Sequence, residues 1–443
     1  MNDTKSRSNL LVSADGAGLV SRAGTATLTE LADRLGVTTA LRAPLAHLRQ
    51  RRSKHHPADV IRDLTVSIAD GGECLSDLAA LRDQPELFGP VASDPTAFRL
   101  LDRLGVAELE VIRSARAVGR AKAWQGNQPD ELILDIDSTL VSTRSEKERA
   151  AATYKGGFGF HPLLCYLDAT GEPLAGLLRP GNAGANTVSD HLTVLDMALA
   201  QIPPAALEDR QALIRSDSAG ASHGVVNAAC ERGLKFSIGF ELRPSVQRAI
   251  LNTPEQDWVS ALRADESERS GAQVCELTDR LDDLVEWPEG TRAICRREQP
   301  HPGAQLTFTD LEGYRFQVFI TNQEGEDIAA LELRHRRRAR CEDCIRCGKD
   351  TGLSKFPFRA FVHNQIWLEL SLLAQDLLAF LRTLCLRGQA QSWEPKRLRH
   401  RLLHVAARIT RSGRRTYLHL PREWAWRFNL LGAFVRLRAL APG

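Results

Sequence analysis

Two short apolar runs that end in acids constrain this chain more than any other feature. Glu131–Val141 reads E-L-I-L-D-I-D-S-T-L-V, and Gln211–Gly220 reads Q-A-L-I-R-S-D-S-A-G. A near-continuous apolar run of this length is the pattern of a strand buried on both faces. Each run leaves a carboxylate, Asp137 or Asp217, at its C-terminal end, where open α/β sheets bind their ligands. Asp135 and Asp137 lie two residues apart and so share one side of the first strand. Either could bind a metal. Asp137 is favoured, because it precedes Ser138-Thr139, and Asp135 is read as a neighbour that tunes charge or as a buried structural acid.

A third segment adds one more acid. His335–Lys349 reads H-R-R-R-A-R-C-E-D-C-I-R-C-G-K and meets no helix breaker before Asp350-Thr351-Gly352. It should be helical. Steps of four and seven residues place Arg338, Glu342 and Lys349 on one face. Two strand-end aspartates and a helix glutamate make a hard, all-oxygen set suited to Mg²⁺ or Mn²⁺. Two such ions can stabilise the attacking and leaving oxygens of phosphoryl transfer. Each acid also has an ordinary alternative. Asp137 could be a turn acid, Asp217 an N-cap for the helix at Ser222, and Glu342 a surface partner of Arg338.

With these residues the chain resembles the DDE transposases of bacterial insertion sequences, most closely the insertion sequence 1380 type. Asp137-Ser138-Thr139 matches the first acid of that family, and Arg215-Ser216-Asp217 the second. The third family motif, Y-x2-R-x3-E-x6-K, is met by Arg338, Glu342 and Lys349, with His335 in place of the Tyr. The likeness runs from about Asp130 to Gln375. It implies an RNase H-like α/β core, a mixed β-sheet flanked by helices, with Asp137, Asp217 and Glu342 as catalytic metal ligands for two Mg²⁺ (or Mn²⁺) ions. It also implies DNA contacts by Arg338, Lys349, Arg215 and His335, although Arg215 could equally pair with an acid. The implied activity is cut-and-paste transposition. The enzyme would bind terminal inverted repeats in double-stranded DNA, cleave the ends and join the freed 3′-OH to target DNA. A homodimer or larger synaptic assembly is the implied form. The competing readings are a nuclease or resolvase on the same core, and a domesticated DNA-binding protein that no longer cuts.

Charge and composition fit a nucleic-acid partner only locally. The net charge of the 443 residues is +3. Basic residues concentrate in Arg334–Arg340 and from Arg382 onward, where Glu394 and Glu423 are the sole acids. Local basic surface suits a phosphate backbone. No apolar run is long enough to span a membrane, and the first residues lack the apolar stretch of a signal peptide. A cytoplasmic, nucleoid-associated protein with mostly reduced cysteines is expected. Cys341, Cys344 and Cys347 recur every third residue beside Glu342. They read as small packed thiols in preference to a metal cluster. Tyr154, Lys155 and His161 are weaker candidates for DNA contact.

Six segments are expected along the chain. Residues 1–58 hold a polar arm and a helix-turn-helix at Thr27–Leu41, turning at Gly36, followed by Arg42, Arg49, Arg51, Arg52 and Lys54. Residues 59–128 are helical and end in a linker. The core's first part covers 129–240, a mainly β insertion 241–312, and the core's second part, with the Glu342 helix, 313–386. A basic region at 387–443 contains a hairpin around Ser412-Gly413. Within the first part of the core, the expected order is three strands, a helix, a strand, a helix and a strand.

Overall fold

The computed structural model describes residues 13–144, 146–300, 313–325 and 327–441. Part of the expected β insertion (residues 301–312) and the first twelve residues of the N-terminal arm lie outside them. The fold is mixed α/β, centred on one nine-stranded sheet. Its strands in chain order are β1 (Ile133–Ser138), β2 (Leu163–Leu167), β3 (Pro173–Leu177), β4 (Leu213–Ser216) and β5 (Lys235–Phe240), then β6 (Val259–Leu262), β7 (Glu268–Glu276), β8 (Arg292–Glu298) and β9 (Arg315–Thr321). They lie side by side as β6-β7-β8-β9-β5-β4-β1-β2-β3. β4 runs parallel to both β1 and β5. The other pairs are antiparallel.

Local sequence explains most of this arrangement. β1–β3 form a meander whose second connection turns at Gly171, at a positive φ of 68°. A β-strand followed by a parallel strand needs a helical crossover. Val188–Leu199 lies between β3 and β4, and His223–Glu231 between β4 and β5. The latter is capped by Ser222, whose Oγ accepts from the Val225 N–H at 3.3 Å.

The segment read as a mainly β insertion supplies β6, β7 and β8, which continue the sheet beyond β9. β9 pairs with β5, and β8, β7 and β6 follow in turn. The free edge of β5 would otherwise present unpaired backbone groups. Ala261, Ala272, Val274, Ile294 and Phe319 face away from the main core and are covered by Leu331.

The helical N-terminal region also joins the central core. Here α1 (Ala26–Arg34) and α2 (Val37–Arg42) are linked through Gly36, whose φ of 79° makes the tight turn. Leu28, Leu31, Val37 and Leu41 are buried in the same cluster as Leu134, Ile214 and Trp367. Next, α3 (Pro57–Ala69) and α4 (Val106–Ala123) pack on the long buried helix Phe361–Phe380. No described helix is long and apolar enough to cross a membrane.

Candidate active site

The parallel pairing of β1 and β4 aligns Ile136 with Ser216. Asp137 follows Ile136 near the end of β1 and Asp217 follows Ser216 just past β4, so both emerge at the C-terminal ends of these neighbouring strands. Glu342 comes from a third element. The chain is helical over Ile328–Arg336, tightens into a 3₁₀ turn at Arg337–Ala339, and resumes as an α-helix over Arg340–Gly348. The resumed helix packs on β1, with the Cys341 thiol toward the Asp135 carbonyl at 3.8 Å. That contact fixes which face looks at the strand ends. Arg338 reaches Asp137 at 3.5 Å. Arg338, Glu342, Asp217, His335 and Phe240 line one cleft of about 490 Å³.

The three acids share an electrostatic field. Burial, and then the neighbouring Asp217 carboxylate, push Asp137 up to about 6; Glu342 adds to the rise, and the Ser138 N–H and Arg338 oppose it. The Asp217 carboxylate accepts from the Ala219 N–H at 3.0 Å, which caps a short 3₁₀ turn. Asp217 is therefore not the cap of the Ser222 helix. Among the described residues no three His, Cys, Asp or Glu side chains are gathered tightly enough to hold an ion. The donor set itself is all oxygen and suits a hard divalent cation.

The expected DNA contacts divide into two groups. Arg215 faces Asp135 across the β1–β4 register and grips it through two bonds of 2.7 Å. It also pairs with Asp168 at 3.0 Å, and its side chain is wholly buried. Its guanidinium is committed inside the sheet, which corrects the reading of Arg215 as a DNA contact and makes Asp135 a structural acid. His335 is corrected as well. Its ring stacks on Phe319, with centroids 4.3 Å apart and planes 5° from parallel, and its Nδ1 bonds the Ser237 hydroxyl at 2.9 Å. Burial, aided by Arg338 and Arg215, holds its pKa down to about 3, so it offers no positive charge to a phosphate.

Lys349 is different. Its ammonium donates to the Leu140 carbonyl at 3.3 Å and has no carboxylate partner among the described residues. Its pKa is lowered by burial and then by Lys155. Tyr154, exposed beside Lys155, stands with its ring near His161. His191 was not singled out from sequence. It is buried on Val188–Leu199, in the fields of Arg179, Asp217 and Asp190, and burial lowers its pKa. A lone histidine on a helix carries no sequence signal that separates it from a core residue. Cys344 and Cys347 lie partly buried on the far side of the Glu342 helix, and burial pushes the Cys344 thiol up to about 12.

The family model for Transposase DDE domain group 1 matches residues 2–442, and the chain belongs to that family. Among solved structures it is similar to a piggyBac transposase in a synaptic complex with hairpin DNA. The identity is 10% and the TM-score 0.44, over 86% of this chain and 80% of that one. No curated protein matches the sequence.

Proposed function

We infer that the protein is an insertion-sequence transposase of the insertion sequence 1380 type, built on an RNase H-like core, that cuts and joins DNA with Asp137, Asp217 and Glu342. The observation that carries this reading is the placement of Asp137 and Asp217 at the ends of adjacent parallel strands, with Asp217, Glu342 and Arg338 lining one cleft and Arg338 3.5 Å from Asp137. The order β3-β2-β1-β4-β5, with β4 parallel to β1 and β5, supports the RNase H-like assignment. The three carboxylates would hold Mg²⁺ or Mn²⁺, two ions in the working complex. When bound, the ions supply Lewis-acid stabilisation of the attacking and leaving oxygens. Arg338, 3.5 Å from Asp137, is placed to hold a DNA phosphate beside the acids. Lys349 and Lys155 flank the same edge and hold the backbone near the scissile bond.

Substrate ends would be read in part by the N-terminal region. Arg49, Arg51, Arg52 and Lys54 form an exposed basic loop after the Gly36 helical corner. The partners are double-stranded DNA, as terminal inverted repeats and target, and a second copy in the synaptic complex. The setting is the cytoplasm, at the nucleoid.

The test uses the full chain with a duplex carrying the repeats that flank its coding sequence. Asp137→Asn, Asp217→Asn and Glu342→Gln should each lower strand cleavage by roughly 10²-fold or more, the loss expected when a transition-state contact disappears. Duplex binding should persist. Cleavage at wild-type rate by any one of the three would remove that residue from the chemistry. A duplex left uncut by wild type with either Mg²⁺ or Mn²⁺ would overturn the reading.

A further inference from the structure

The C-terminal hairpin Ala407–Ser412/Arg415–His419 has two unlike faces. Arg408 stands opposite His419, Thr410 opposite Tyr417, and Ser412 opposite Arg415. Directly opposed residues project from the same face of a ribbon. The alternate residues Ile409 and Leu418 pack against the main core, so the first set points outward. Arg408, Ser412, Arg415, Tyr417 and His419 are exposed. Pairing of Ala407 and Arg408 with Val20 and Leu19 anchors the ribbon to the body.

Charge on this element is one-sided. Between Glu394 and Glu423 the chain carries nine lysines and arginines and no acid. Arg411, on the inward set, pairs with Glu86. Among the described residues no carboxylate pairs with Arg408, Arg414 or Arg415. Tyr417 lies nearly parallel to His419, at 23° and 6.2 Å between centroids. The His419 ring bonds the Thr410 hydroxyl at 2.7 Å, which fixes the aromatic pair on the outer face.

We propose that the outer face of this hairpin is a duplex-DNA surface, with Arg408 and Arg415 on backbone phosphates and Tyr417 over the groove between them. It rests on the DNA reading given above and adds a contact on elements other than those that carry the acids. A two-stranded ribbon fits the major groove. Unpaired arginine forks match phosphate oxygens better than point charges do. The outward set has no aliphatic side chain to insert into a lipid surface, which favours nucleic acid over membrane.

The experiment compares the full-length protein with Arg408→Gln/Arg415→Gln/Tyr417→Ala. These side chains are outward, so the thermal melting temperature should be unchanged. Binding to a short DNA duplex of arbitrary sequence is measured against NaCl concentration. Each lost phosphate contact removes about 0.9 from the slope of log K against log salt. The triple variant should therefore flatten that slope by about 2 and bind at least roughly 10-fold more weakly at 0.1 M salt. A photoreactive phenylalanine at Tyr417 should cross-link to the duplex. Equal slopes and affinities for variant and wild type would overturn the hairpin surface and leave the DNA reading standing. A wild type that binds no duplex would overturn both. Binding to phosphatidylserine vesicles as tight as to the duplex would overturn the assignment to DNA.

Discussion

Arg215 and Lys349 are both at least partly buried, and their partners give them different roles. Arg215 compensates Asp135 and Asp168 inside the sheet. Arg215→Met would strand two buried carboxylates, at a cost of about 3–5 kcal/mol. Urea denaturation should show that loss, and a variant as stable as wild type would contradict the buried pairing. Lys349 has only a carbonyl as partner. Lys349→Ala should melt normally, yet lose strand transfer by roughly 10²-fold, the cost of one contact made at the transition state. Transposition at wild-type frequency would make Lys349 a half-buried lysine and nothing more. A pH effect belongs to the same scale. Burial raises Asp63 to about 6, above its ordinary 3.8, despite Arg62. A raised folded pKa means that the protonated form is favoured by folding. That contribution is full below about pH 4 and fades as pH rises through 6, by up to about 3 kcal/mol. Asp63→Asn should flatten this slope and stabilise the protein at pH 8, measured as urea midpoints across pH.

The helix that carries Glu342 is the element on which the site depends most. Its continuity ends at Gly352, which adopts a φ of 85°. The Trp367 indole donates to the Gly352 carbonyl at 2.8 Å, and a Cβ built on Gly352 would lie 2.7 Å from Ile68 Cγ2. A side chain there meets both an unfavourable backbone region and a packed neighbour. Gly352→Ala should cost about 2–4 kcal/mol by these two effects. It should also displace Lys349, so cleavage should fall even at temperatures where the variant stays folded. Calorimetry and a cleavage assay on the same preparation separate the two effects. The apolar residues and cap positions that make this helix are local. Its kink and its docking on β1 are not.

Across the whole molecule, a buried ionic network ties the N-terminal helices to the core. Arg116 bonds Glu369 at 2.6 Å and Asp376 at 2.8 Å, and Arg120 bonds Glu172 at 2.7 Å, with all of these side chains essentially inaccessible. Arg113 completes the set on Glu369 at 3.0 Å, so three arginines balance three carboxylates. Breaking one member leaves uncompensated charge in the interior. Arg120→Ala should destabilise by about 3–5 kcal/mol and loosen the N-terminal region together with the sheet, read as a single cooperative transition at lower temperature. A separate early transition would show the N-terminal region to be an independent unit. The same packing bears on how end recognition should be tested. Removing residues 1–60 would strip Leu28, Leu31 and Val37 from the shared core. Substitution of the exposed Arg49, Arg51 and Arg52 is the sounder probe.

Sequence alone determined what depends on neighbours along the chain. The runs ending at Asp137 and Asp217 became strands because a short apolar stretch can satisfy its backbone only by pairing inside a sheet. The hairpin around Gly413 followed from turn chemistry, and the spacing of Arg338 and Glu342 set them about one turn apart, although a 3₁₀ turn at Arg337–Ala339 interrupts the single helix expected there. The tertiary structure decided what depends on partners far away. The register of β1 against β4 set Asp135 opposite Arg215 and so turned an expected DNA contact into a buried counter-ion. The stack on Phe319 made His335 a neutral packing residue. Pairing of β8 with β9 joined the segment read as an insertion to the sheet, and burial packed the N-terminal helices against Phe361–Phe380 in the same core. In each case the deciding interaction links residues that are distant in the chain, and only folding brings them into contact.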